Sequence, residues 1–344
     1  MKILFIGDLN KHGRCLKRYE ALFDLGHSVD GLSTVPISEH RGIKCSPFFE
    51  RIMWKLSFPL DLTSVNQKII EAVAQKKYNI IWIEKGNTIT PFSLRRIKKI
   101  LPDAKIVSCS EDNMYLFHNR SFYYRWGLRY YDAVFTVKIH NLTELKSFRA
   151  KRVVLFLDAY DEKIHKPIAL TEEDRKRFEC DVGFIGTFED DRAFKMLYLA
   201  ENGIKVVIWG SGWSKWLDKH PNLTIKNTPI YGEDYVRAIN ATKINLCFLR
   251  KLNKDETTSR SAEIPACGGF MLAERTERHL KLFRENEEAA FFNSKEELLS
   301  LVKKYLIDES GRNKIAEAGR IRCAKSGYDY KTQLKNMLSF VSGL

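Results

Sequence analysis

Short apolar runs ended by glycine, each followed by a stretch of helical periodicity, recur along this chain. That recurrence restricts the fold more than any other feature. Lys2–Gly7 is the first such run; residues 14–25 have the spacing of an amphipathic helix, Gly26 stops it, and 28–31 return to strand-like composition. The same alternation predicts a helix over 63–76, a strand over 80–84, a helix over 91–101, a strand over 105–109, a helix around 120–130, a strand over 133–137, a helix over 141–148 and a strand over 152–157. Residues 158–178, with Pro167 and a charged helix near 172–177, interrupt it and read as a connection between domains. A second series then follows: strand 180–185 closed by Gly186, helix 190–202, strand 205–209 closed by Gly210, helix 232–241, strand 243–249, helix 258–267, strand 269–273, and helices near 276–285, 294–307, 309–326 and 330–342. Two alternating series predict two Rossmann-like α/β domains with parallel sheets facing across a cleft, and ligands beyond the carboxyl ends of the strands.

Length agrees, since 344 residues suit two domains better than one. A hydrophobic fraction of 44% with 12% aromatics supplies packed cores and excludes a disordered chain. No apolar run approaches the roughly 20 residues that cross a bilayer, and the opening apolar stretch reads as a first strand rather than a secretory signal. Seven cysteines, odd in number, far apart and without a C-x-x-C, fit a reducing cytoplasm rather than a disulfide framework or structural zinc.

The formal charge of +14 is uneven: residues 1–160 carry +11 and residues 161–344 only +3. Arg95, Arg96, Lys98 and Lys99 alternate with Leu94, Ile97, Ile100 and Leu101, giving an amphipathic helix with one basic face. A solvated face fits this pattern as well as a surface for an anionic partner, such as an anionic membrane or a lipid phosphate. Nucleic acid is the weakest of these, because no recognition module accompanies the charge.

The segment from Asp255 to Gly269 is the sharpest motif. Thr257, Thr258 and Ser259 are good N-caps, so a helix is expected to start there with free amides and its positive end toward the cleft. Such an end suits a diphosphate; Arg260 in the first turn would add bidentate hydrogen bonds, and Glu263 one turn on would accept from paired hydroxyls such as those of a ribose. Gly268 ends the helix. A capped helix with a glycine stop fits the same spacing without any ligand.

The run Arg260-Ser261-Ala262-Glu263-Ile264-Pro265-Ala266-Cys267-Gly268-Gly269 resembles the signature of the CgeB-like, spore-maturation type glycosyltransferases, relatives of the family-four retaining enzymes with the GT-B fold. Cys180-Asp181-Val182-Gly183-Phe184-Ile185-Gly186-Thr187 with Arg192, Trp209-Gly210-Ser211-Gly212-Trp213, and the stretch from Asp158 to Pro167 resemble that family in the same order; the likeness is dense over 158–330 and looser over 1–157. It implies an N-terminal acceptor domain over 1–160, a C-terminal nucleotide-sugar domain over 161–329 and a terminal helix over 330–344 crossing back to the first. It further implies donor contacts from Gly186, Thr187, Arg192, Gly210, Tyr231, Thr257, Thr258, Ser259, Arg260, Glu263 and Gly268. The chain departs from the family at Asp255, where a glutamate is usual, which weakens the expected contact with the donor sugar.

In the N-terminal half, Glu111 and Asp112 follow a strand, and with His118 they are candidate catalytic groups, either as general base or as support for an oxocarbenium-like transition state. Two adjacent carboxylates would equally cap the next helix. His12, Gly13 and Arg14 in the first strand–helix loop are candidate acceptor contacts, or exposed loop residues. Eight histidines without H-x-x-H spacing, and Glu189-Asp190-Asp191 read as an acidic helix start, give no expected metal and no cofactor. Gly210-Ser211-Gly212 lacks the third glycine of a dinucleotide fingerprint. The resulting expectation is a cytoplasmic, metal-independent glycosyltransferase of hexosyl type, with peripheral contact at the inner face of the membrane as a further expectation. Its partners would be a nucleotide sugar and a glycan, lipid-linked or protein acceptor, without nucleic acid. The rival is a non-catalytic protein of the same fold in cell-surface or spore-coat assembly.

Overall fold

The structure, a computed structural model, describes residues 1–11, 13–36 and 48–344. The chain divides into two compact units: Met1–Leu157 together with Tyr330–Leu344, and Asp158–Asp329.

The first unit runs β1 (Lys2–Gly7), α1 (Arg14–Asp24), β2 (Ser28–Ser33), α2 (Phe48–Lys55), α3 (Val65–Gln75), β3 (Ile80–Glu84), α4 (Pro91–Ile100), β4 (Lys105–Ser110), α5 (Phe122–Gly127), β5 (Ala133–Thr136), α6 (Asn141–Glu144) and β6 (Val153–Leu155). All six strands are parallel, in the order β2-β1-β3-β4-β5-β6, with Ile3 opposite Ile80 and Ile80 opposite Lys105. Strand alternation sorts the residues onto two faces. Leu4, Ile6, Ile81, Ile83 and Ile106 pack with Ile69, Val73, Leu94 and Ile97 of α3 and α4. On the other face the rings of Phe5, Trp82 and Phe135 stack at 6.4 and 5.9 Å. The helices expected over 120–130 and 141–148 are each a short α-helix finished by a 3-10 turn.

The second unit runs α7 (Glu172–Phe178), β7 (Cys180–Ile185), α8 (Asp190–Glu201), β8 (Val206–Trp209), β9 (Leu223–Ile225), α9 (Gly232–Ala241), β10 (Thr242–Cys247), α10 (Arg260–Ala266), β11 (Met271–Glu274), α11 (Glu277–Leu282), β12 (Ala290–Phe292), α12 (Lys295–Ile307) and α13 (Glu309–Lys325). Its parallel sheet has the order β12-β11-β10-β7-β8-β9, the doubly wound arrangement with its switch point between β7 and β10. Val182, Phe184, Ile208, Leu246 and Leu272 meet Met196, Leu199, Leu298 and Val302 of α8 and α12 in its core.

The last helix, α14 (Tyr330–Ser342), belongs to the first unit. Phe340 sets its ring edge-on to Phe135 at 6.1 Å, Lys331 pairs with Asp24 at 3.6 Å, and the Gln333 carbonyl accepts from the Leu157 amide. Three elements escape the periodicity reading. Helix α2 has no fully buried residue, and β9 and β12 have three residues each, too few to show a period.

Candidate active site

At the switch point of the second unit the loop after β7 lies against the loop after β8. The Gly186 amide donates to the Trp209 carbonyl at 2.8 Å, its carbonyl accepts from the Trp213 indole at 3.0 Å, and the Phe188 amide donates to the Ser211 carbonyl at 3.0 Å. A Cβ on Gly210 would sit 1.9 Å from the Gly186 carbonyl oxygen, so the approach requires glycine there.

Two guanidinium groups flank the buried Phe184 ring, Arg192 at 5.5 Å and Arg260 at 5.7 Å from its centre. The buried Nε of each lacks a partner among the described residues. Arg192 is only 1% exposed and donates to the Thr187 and Leu249 carbonyls, both at 3.3 Å, so it ties the β7 loop to the β10 loop. It also pairs with Glu189 at 3.1 Å. Burial, and then the charge of Arg260, lower its affinity for its proton. The expected phosphate contact from Arg192 is thus a clamp behind the site. Arg260, half-buried, is the guanidinium with access.

Helix α10 begins differently from its sequence. Neither Thr257, Thr258 nor Ser259 caps it; Ser259 is already helical and makes no side-chain cap bond. Thr257 is buried and donates to Asp158 at 3.3 Å. The Thr258 amide is taken by Ser261 Oγ at 3.1 Å, and the Ser261 and Ala262 amides by the Thr258 and Ser259 carbonyls. Those of Thr257, Ser259 and Arg260 have no acceptor among the described residues.

A relay behind this loop sets its position. His279 Nδ1 lies 2.7 Å from the Glu274 carbonyl, which only accepts, so Nδ1 carries the proton and Nε2 is the acceptor. Ser261 therefore donates its hydroxyl to Nε2 at 2.7 Å and accepts the Thr258 amide. Burial lowers the His279 pKa to about 4, which keeps this tautomer neutral. Thr276 adds a second tie, donating to the Glu256 carbonyl at 2.7 Å.

Glu263 shares the face of α10 with Arg260, three residues on. One of its oxygens accepts from the Tyr235 hydroxyl at 2.7 Å; the other has no partner among the described residues. Burial and then the Glu263 charge push the Tyr235 hydroxyl well above its ordinary pKa, so it stays a donor. Asp255 is spent locally, accepting from Asn253 at 2.8 Å and the Arg250 amide at 3.4 Å. Tyr231 is exposed at the start of α9. Gly268, with φ +79°, turns the chain at the opposite end of α10 from Arg260 and packs toward Pro167, so its place is that of a helix stop.

In the first unit a cavity of about 300 Å³ opens at the carboxyl ends of β1 to β4. Arg18 lies at its floor, 3% exposed, donating to both oxygens of Glu84 at 2.8 and 2.7 Å and to Glu111 at 2.5 Å. Arg14 reaches the second Glu111 oxygen at 2.7 Å, Lys85 pairs with Asp112 at 2.5 Å, and the Trp82 indole also donates to Glu84. Burial alone would raise the Glu111 carboxyl, but Arg14 and Arg18 outweigh it and hold it below the ordinary range; Lys85 does the same for Asp112 against its burial. Both are fixed carboxylates and poor proton acceptors, which removes the geometric basis for either as general base. His118 is exposed on a 3-10 turn and does not line this cavity. Gly13 caps α1 with its carbonyl and is buried, Arg14 lines the cavity, and His12 lies outside the described residues.

Two contributors were not singled out from the sequence, Tyr235 and Trp54. Trp54 lines the cavity of the first unit together with Asp8, from the first strand–helix loop. Among the described residues no group of three or more His, Cys, Asp or Glu side chains forms a metal-binding cluster, and no helix is long and apolar enough to cross a membrane.

Residues 192–339 match the family model described as glycosyl transferase-like. No curated protein matches the chain in sequence. Sucrose-phosphate synthase from Thermosynechococcus elongatus superposes with a TM-score of 0.71 at 14% identity, covering 100% of this chain and 98% of that one. HepE from Anabaena, solved with UDP and glucose, gives 0.67 at 12% identity with both chains fully covered. A glycosyltransferase from Rickettsia africae gives 0.65 at 13%, covering 99% and 98%. These likenesses establish the fold: two Rossmann-like α/β units with parallel sheets, of the GT-B type.

Proposed function

We propose that this chain is a glycosyltransferase, with a nucleotide-sugar donor held by the second unit. The observation that carries the reading is the set of groups facing one place: the Arg260 guanidinium with an unpartnered Nε, three unoccupied amides beside it, and Glu263 with one unoccupied oxygen a turn away. A diphosphate needs the first two and a ribose diol the third. HepE, with the same fold, was solved with UDP and with UDP-glucose, which supports a hexosyl donor of this kind.

In this reading the leaving diphosphate is stabilised as its charge grows by Arg260 and the amides of the 257–260 loop. That cationic support takes the place a divalent ion fills elsewhere, so transfer proceeds without metal and without any other cofactor. A thermal-shift screen of UDP, GDP, dTDP and CMP, followed by transfer from the matching labelled nucleotide sugars in the presence of a chelator, tests both statements. Absence of binding by all four nucleotides would count against the donor reading.

One observation favours a second reading, a non-catalytic protein of this fold in cell-surface or spore-coat assembly: Glu111 and Asp112 are both neutralised by basic neighbours. Turnover of any labelled nucleotide sugar separates the two.

The acceptor, whether glycan, lipid-linked or protein, belongs with the basic first unit, and we place the protein in the cytoplasm at the inner face of an anionic membrane. Support comes from exposed Phe117 and Trp126, both packed against Phe122. Beside them Arg120 and Arg125 stand over the Phe148 ring, each at 4.7 Å. Aromatic rings interleaved with guanidinium groups suit a phospholipid interface. Co-sedimentation that rises with the phosphatidylglycerol content of vesicles is expected, and sedimentation indifferent to it would remove the membrane from the account.

A further inference from the structure

We propose that the second unit carries a further ligand site, separate from Arg260 and Glu263, which takes a phosphorylated sugar. It is a cavity of about 520 Å³ between the turn after α11 and helices α12 and α13, a volume within the range of small-molecule sites.

The framework is fixed by the protein itself. Gly311, Lys314, Ile315 and Ala318 line the cavity from α13, at the three- and four-residue spacing of one helix face. Tyr305, at the end of α12, is only 1% exposed, and its ring packs 4.6 Å from that of Phe270. Its hydroxyl donates to Asn286 Oδ1 at 3.1 Å. That bond sets which way the Asn286 side chain is turned, and leaves its nitrogen a donor with no acceptor among the described residues. The turn is pinned as well, since the Asn286 backbone amide donates to the Ala289 carbonyl at 2.7 Å.

Charge decides the class. The lining holds Arg284, Lys304 and Lys314 against Glu287 and Asp308, an excess of one positive charge. Arg284 is already taken, pairing with Glu287 and with Glu288, each at 3.0 Å. Lys304 and Lys314 have no carboxylate within ion-pair distance among the described residues; the Lys304 ammonium stands 4.8 Å from the centre of the Tyr305 ring. Two ammonium groups from different helices, lining one cavity without a counter-ion in the protein, suit a phosphate.

Asp308 decides the rest of the ligand. Its Oδ1 caps α13 by accepting the Gly311 amide at 2.8 Å, and its Oδ2 has no partner among the described residues. A carboxylate only accepts, so this oxygen opposes a second anionic group and calls for a hydroxyl. Buried Ile315, with Ala318, adds an apolar floor for a carbon skeleton. A phosphate joined to a polyol ring meets the ammonium groups, the free carboxylate oxygen and the floor together. Bare phosphate meets only the first, and a neutral sugar only the other two.

The test is calorimetry on the full chain with glucose 6-phosphate, mannose 6-phosphate and N-acetylglucosamine 6-phosphate, beside glucose and inorganic phosphate. At least one sugar phosphate should bind about tenfold more tightly than inorganic phosphate, the scale of one added hydrogen bond to a charged group, and glucose should not bind. Lys304→Ala and Lys314→Ala should each weaken that binding about tenfold, and because both side chains are exposed the melting temperature should hold. Asp308→Asn keeps a capping oxygen and separates the two parts of the ligand: affinity for the sugar phosphate falls, while affinity for inorganic phosphate holds or rises. Arg260→Ala should leave sugar-phosphate affinity unchanged, which tells this site from the donor site. No binding by any sugar phosphate, inorganic phosphate binding as tightly as they do, full affinity in both lysine variants, or a loss in Arg260→Ala would overturn the proposal. The measurement involves neither nucleotide nor turnover, so its failure leaves the donor reading intact.

Discussion

The Tyr235 hydroxyl donates to one oxygen of Glu263 at 2.7 Å, which leaves the carboxylate a single oxygen for a ligand and fixes the direction in which it points. Removing the carboxylate takes away a charged acceptor, worth about 1.5–3 kcal/mol, so Glu263→Ala should weaken nucleotide binding by roughly 10- to 100-fold. Tyr235→Phe removes only the aiming bond, worth about 1 kcal/mol, and should cost about fivefold. Calorimetry with the nucleotide found by screening measures both. Equal affinity in wild type and Glu263→Ala would falsify the ribose assignment.

Arg260 should discriminate between parts of the donor. Arg260→Ala is expected to lower affinity for the nucleoside diphosphate by more than tenfold, the scale of a charge-assisted hydrogen bond, and to leave affinity for the free nucleoside unchanged. The same substitution removes a like charge next to buried Arg192, so the melting temperature should hold or rise. A parallel loss for nucleoside and diphosphate would place the residue near the base instead.

What the sequence disclosed and what it hid follow a physical line. The inner strands of both sheets, such as β3 and β7, are largely buried on two faces, so they read as apolar runs, and glycines such as Gly186 mark where they stop. Gly186 and Gly210 were legible because close backbone approach excludes a side chain, and that requirement writes itself as glycine. The placement of Glu263 and Arg260 on one face of α10 is legible through their spacing. Tyr235 was hidden, since its partner is 28 residues away and nothing in α9 announces it. The ion pairs of Glu111 are hidden for a related reason: a carboxylate beyond a strand reads as free until Arg18, 93 residues earlier in the chain, is seen to hold it. Arg192 looked like a ligand contact because the motif contains it, whereas its burial turns it into a clamp.

The relay from His279 through Ser261 to Thr258 should make the second unit acid-sensitive. Burial lowers the His279 pKa from 6.5 to about 4, so the folded protein resists a proton that the unfolded chain accepts. The contribution is therefore complete above pH 6.5 and is lost as pH falls toward 4, by up to about 3 kcal/mol. His279→Gln should flatten the stability profile over that interval and raise the nucleotide Kd, since Ser261 loses the acceptor that aims it. Denaturant titrations at pH 4.5, 5.5, 6.5 and 7.5 test this, and an unchanged slope in the variant would remove His279 as the cause.

Arg18 carries the largest expected stability effect in the first unit. Arg18→Met leaves Glu84 and part of Glu111 buried without their guanidinium, a loss of about 3–5 kcal/mol for a broken buried pair. In the wild type, burial works against the Glu111 charge but Arg14 and Arg18 prevail, so its folded pKa is below 4.5 and its contribution is present above that pH and lost as pH falls through the folded value. In the variant the balance tilts toward burial, the Glu111 carboxyl takes up a proton more readily, and acid relieves part of the damage. The gap in unfolding free energy between wild type and variant should thus be widest near pH 7 and shrink toward pH 4, read from unfolding followed at Trp82, whose indole donates to Glu84 within the same network. A gap that stays constant with pH would mean that the lost packing of the arginine stem, and not its charge, sets the cost.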